Sequence, residues 1–186
     1  PIFPITPEVL QAALCSLMYS LPAAVSATAL AIPIALLGRR HPSIRSTILE
    51  RIAFAGHGVP ALAFALSLIW ATRLVPPLYH GFALSFTLLV GAYTVHFLAE
   101  AVGPIRSGLY LATPRVEEAA RGLGLGWLAT TWRVTLPLLR PGLMVSSAMV
   151  FLSVIKELPL TMLLAPIPYN QTLAVKVWSL SEDAFF

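Results

Sequence analysis

Between Glu8 and Arg39 the chain runs for thirty residues without a charge, and nothing else in it constrains the fold as strongly. A helix needs about 20 such residues to cross a hydrocarbon core. Uncharged runs recur from Ile52 to Thr72 and from Leu74 to Ala99. Of 186 residues, 58% are hydrophobic and 11% charged, where an average soluble domain carries about 25% charged. A soluble fold could not hide that much apolar surface. The sequence therefore predicts an all-α, polytopic membrane helical bundle, a single transmembrane domain over 1–186.

Spans are expected near 12–37, 53–72, 82–102 and 142–164. Pro22 and Pro33 fall inside the first, where neighbouring groups re-satisfy freed carbonyls. Pro76 and Pro77 break the start of the third run. Gly142–Ile155 is only 14 residues, about 21 Å at 1.5 Å per residue, so the fourth span is expected to continue through Lys156 and Glu157 and to bend at Pro159. Ser16, Ser20, Ser26, Thr28 and their small neighbours read as a helix-packing surface. After Thr172, Lys176, Glu182 and Asp183 interrupt the apolar residues. That stretch, 172–186, is expected to be an amphipathic outer-surface segment before a further span, making the chain a fragment truncated ahead of its last span.

The charges set the orientation. Arg39, Arg40, Arg45 and Arg51 lie in the first connection, and Arg106, Arg115, Arg121, Arg133 and Arg140 in the third. The second holds Arg73, and the fourth, 165–171, has no charge. The positive-inside rule puts the first and third inside, so 104–141 is a cytoplasmic loop. The basic residues form no run of five, which argues against nucleic acid. Cys15 is alone, so no intrachain disulfide forms.

Within that loop Thr113-Pro114 suits a helix start, and Gly122, Gly124 and Gly126 suit its end, which predicts a short helix over 114–121. A second is expected over 127–135, with Trp127 and Trp132 at the membrane interface. Pro137 and Pro141 then turn the chain back towards the bilayer.

Glu118-Ala119-Ala120, three residues, Gly124, nine residues, Val134, one residue and Leu136-Pro137 resembles the E-A-A-x3-G-x9-I-x-L-P signature of binding-protein-dependent ABC transporter permeases. Val134 stands where Ile is usual. Lys156-Glu157-Leu158-Pro159 with Thr161 resembles the second half of a ferric-iron-type permease. The resemblance implies a MetI-like ABC importer permease core in the bacterial inner membrane. It also implies a coupling loop that docks on an ATP-binding subunit through Glu117, Glu118, Ala119, Ala120, Gly124, Val134, Leu136 and Pro137. A periplasmic binding protein would deliver the substrate, and a second permease half, fused or separate, would complete the path. Ferric iron is the implied cargo, with thiamine, sulfate, molybdate and polyamine as alternatives.

No G-x4-G-K-[ST] occurs, so the chain is expected to be a transport subunit with no catalytic residue, no metal and no cofactor of its own, ATP and Mg sitting on the partner. Tyr93, His96 and Glu100 share one helical face by spacing. With Lys156, Glu157 and Pro159 they are candidates for the translocation path, since ionisable groups inside a span face a bundle interior or water; packing, snorkelling and helix pairing explain the same residues without a path. The other classes open to the sequence are an ion-coupled transporter or channel using Lys156 and Glu157, and an intramembrane enzyme using His96 and Glu100.

Overall fold

The computed structural model describes residues 7–40, 42–72, 82–112, 114–166 and 171–183, and all regular structure among them is helical. Arg73, Pro76, Pro77, His41, His80 and Thr113 lie outside the described residues, as do 184–186 of the expected outer segment.

Helix α1 (Pro7–Arg40) is the central element. Its 34 residues extend about 51 Å. Its buried face is built from small residues, among them Ala23, Ala24, Ala27, Thr28 and Ala31, whereas Leu10, Leu14, Leu21 and Val25 face outwards. Lipid tails are as apolar as leucine, so helices in a membrane associate by close backbone approach and polar contacts across small residues. Against α1 pack α4 (Phe82–His96), α5 (Leu98–Leu111) and α9 (Arg140–Ile155). Ser146 on α9 donates to the Ala101 carbonyl on α5 (3.0 Å) and receives Thr28 of α1 (3.3 Å). Ser26 meets Thr94 at 2.6 Å. A Cβ at Gly142 would come within 2.9 Å of the Pro104 carbonyl, so glycine sets how closely α9 approaches α5.

Of the expected spans, only the first is one long helix. α1 is long and apolar enough to cross alone, and three bent pairs pass the same length and hydropathy criterion together. The second expected span starts earlier, as α2 (Ile44–Gly58), and turns by 106° into α3 (Ala61–Thr72). Pro60 lacks an amide donor and forces Val59 into extended backbone. The third bends by 49° at Phe97 and continues as α5 to Leu111. Residues 104–111 of the expected loop are therefore helix. In the fourth, α9 ends at Ile155 and α10 (Pro159–Leu164) starts at the proline, packing on α3 and α4.

The loop itself forms α6 (Pro114–Gly122), then one helical segment made of α7 (Trp127–Thr130), a π turn (Thr131–Thr135) and α8 (Leu136–Leu138). The second loop helix thus runs past 135. In the π turn the Leu136 amide bonds to the Thr131 carbonyl, and this widened turn sits just before Pro137, whose ring would clash with an ordinary turn and whose donor is missing. The bend of 67° comes after it, between Leu138 and Arg140. Helix α11 (Leu173–Asp183) docks on the other end of α1, through the Leu173 amide to Ser16 Oγ (2.8 Å) and Lys176 to Glu8 (2.7 Å).

Candidate docking segment and path residues

Helix α6 ends where Gly124 takes φ +90°. The Leu125 amide bonds to the Ala120 carbonyl (3.2 Å) and the Gly124 amide to the Arg121 carbonyl (2.9 Å), the paired bonds of a Schellman cap. Of the three glycines expected to end the helix, Gly124 does so. The motif spacing from Ala120 to Gly124 is thus the spacing of a helix terminus.

The acidic pair separates. Glu118 and Ala119 are exposed, while Glu117 and Ala120 turn inwards, 9% and 8% exposed. Glu117 Oε1 accepts from Arg40 Nη2 at 2.7 Å and from Thr135 Oγ1 at 2.8 Å, and the same Nη2 donates to the Ala112 carbonyl at 3.0 Å. The structure therefore removes Glu117 and Ala120 from the outward surface of α6. Val134, Leu136 and Pro137 are half-buried in the π turn and α8. They shape the segment on which α6 rests, since α6 packs on the π turn and α7. Leu123, Trp127, Leu128 and Trp132 are exposed beside it.

In the sequence Arg40 reads only as a topological charge, and nothing local singles out Thr135. Arg39, its neighbour, goes elsewhere and lies over the Tyr110 ring, 4.3 Å from the centroid. No local signal separated the two arginines.

Residues 27–181 match the family described as "binding-protein-dependent transport system inner membrane component". The chain belongs to this family. The permease is also similar to the Fe(3+)-transport system permease protein FbpB 2 of Haemophilus influenzae, 30% identical over 155 residues, covering 83% of this chain and 30% of that relative. The chain thus spans about a third of the length of the curated relative it matches. Membership makes it a membrane transport component with an all-α permease core.

The six candidate path residues do not converge. Tyr93 donates to Thr161 of α10, whose hydroxyl in turn donates to the Glu157 carbonyl (2.7 Å). Glu100 accepts from Ser153 of α9 at 2.7 Å. It also borders a cavity of about 610 Å³ between α5 and α9, lined by Gly103, Pro104, Gly142 and Met149. His96 is buried among the rings of His57, Phe64 and Phe97. The single polar face expected of Tyr93, His96 and Glu100 is thus divided among partners on three sides, because the helix bends at Phe97 between His96 and Glu100. Lys156 is exposed; Glu157 and Pro159 are half-buried at the break before α10. Among the described residues no three His, Cys, Asp or Glu side chains gather as a metal site. The enzyme alternative has no geometric support, since Ser153 engages the Glu100 carboxylate while His96 packs among aromatic rings.

Proposed function

We propose that this permease is the membrane-spanning half of an ATP-driven importer for ferric iron, handed over by a periplasmic binding protein. Glu118 and Ala119, exposed on a short helix in the family's spacing, carry the reading. They present one carboxylate and a methyl-sized surface that a groove on an ATP-binding subunit can approach closely. The Schellman cap at Gly124 and the exposed Trp127 and Trp132 hold that surface at the cytoplasmic boundary. ATP and Mg bind on that partner.

Import follows as rigid-body rocking of two permease halves about a central path. Glu100, on the α5–α9 cavity, is the strongest of the path candidates; Tyr93, His96, Lys156, Glu157 and Pro159 shape the bends around it. The bent helix pairs complete a multi-pass topology in the inner membrane, with the first and third connections inside. Ferric iron is the assignment that the similarity to the Haemophilus iron permease supports.

Co-purification with the ATP-binding subunit, together with iron uptake in vesicles, tests the reading. Glu118→Lys is expected to abolish both. Uptake and association that survive this substitution would overturn the docking assignment.

A further inference from the structure

We infer that Arg40 is a positioning residue that carries the motion of α6 into the transmembrane helix α1. The inference rests on the docking reading above. α6 packs on the π turn and α7. Between it and the end of α1 lies a cavity of about 470 Å³, lined by Leu36 and Leu37 of α1, Glu118 and Arg121 of α6, and Trp127 and Thr131 beyond them. Apolar packing therefore does not weld the docking helix to α1. Arg40 spans the gap instead.

One guanidinium nitrogen joins three elements. Nη2 holds Glu117 of α6 and the Ala112 carbonyl that ends α5, and Thr135 of the π turn closes on the same carboxylate oxygen. The Arg40 and Glu117 side chains are 14% and 12% exposed. At that burial a charge-assisted hydrogen bond is short, directional and little screened by salt. A displacement of α6 thus pulls on the last turn of α1 and on the α5 terminus together. Nε and Nη1 of Arg40 are buried without a hydrogen-bond partner. The guanidinium accordingly offers Glu117 a second seat, so α6 can slide from one bonded arrangement to another without leaving either charge bare. Coupling between sites needs an element of this kind, with two discrete arrangements.

The test uses the full-length permease with its ATP-binding subunit and binding protein in vesicles, with ferric iron as the probe. Arg40→Gln is expected to keep the ATP-binding subunit bound and hydrolysing, while iron imported per ATP hydrolysed falls roughly tenfold. Arg40→Lys, which keeps the charge on Glu117, restores part of that ratio. Arg40→Met combined with Glu117→Met removes the charge pair without stranding either member, so it folds where a single substitution fails, and it lowers the ratio in the same way. An unchanged ratio in the folded variants, with the ATP-binding subunit still bound, overturns the clasp and leaves the docking reading intact. Loss of the bound subunit from the double-Met variant assigns the pair to docking and also overturns it. If the unaltered permease holds no ATP-binding subunit, the docking reading falls and the clasp with it.

Discussion

Glu117 and Glu118 are adjacent in the chain but project in different directions from α6, the first bonded to Arg40 at 2.7 Å inside the molecule and the second exposed at the surface. Successive helical residues project about 100° apart. One carboxylate can therefore hold α6 in place while the next remains free for a partner.

Substitution of the two should separate stability from docking. Glu117→Ala leaves a buried guanidinium unpaired and is expected to destabilise the permease by about 3 kcal/mol. Glu118→Lys changes an exposed site and should stay within about 0.5 kcal/mol of the unaltered chain. Thermal unfolding in detergent measures both. Equal destabilisation by the two would contradict the division of roles.

Gly124 has open space around an added Cβ, so only its backbone resists a side chain. At φ +90°, Gly124→Ala should cost about 1–2 kcal/mol and loosen the C-terminal turn of α6. Gly126, at φ −67°, should accept alanine with a change below about 0.5 kcal/mol. Amide exchange at Leu125, whose bond to Ala120 closes the cap, reports the difference.

Gly142 is limited by contact instead of conformation. Gly142→Ala presses a methyl against the Pro104 backbone carbonyl at 2.9 Å, and backbone cannot swing aside. The expected cost is about 1–3 kcal/mol. Gly91→Ala, with nothing within 4 Å of its Cβ, serves as the neutral comparison in the same unfolding experiment.

The contact between α11 and α1 should respond to salt. Glu8 is largely exposed in its ion pair with Lys176, so the attraction is screened within about 10 Å at 0.1 M salt. Lys176→Ala should increase the mobility of Trp178, seen by fluorescence anisotropy, and raising the ionic strength should do the same in the unaltered permease. A salt response that persists in Lys176→Ala would show that the Glu8–Lys176 pair is not its source.

Several features were open to reading in one dimension, because each depends on neighbours in the chain. The uncharged runs announce membrane helices since a charge is costly in hydrocarbon, and the motif residues sit at spacings that a short capped helix requires. Gly124 could be named as a helix terminator, though not preferred over Gly122 or Gly126. Pro159 signals a bend in the fourth run, where α10 in fact begins as a separate helix, but Pro60 gives no expectation of the 106° turn within the second.

What the sequence by itself determined was the apolar solvent, the all-helical class and the family, all of which follow from hydropathy, local backbone preference and spacing. Tertiary structure alone decided which groups meet. Arg40 reaches Glu117 across 77 positions of chain, while Arg39 beside it turns to Tyr110, and only the packing of α1, α5 and α6 distinguishes them. The bend at Phe97 likewise parts His96 from Glu100 without a proline or glycine to signal it. Pairing at that range is set by which helix faces fit together, and the residues concerned carry no local mark of it.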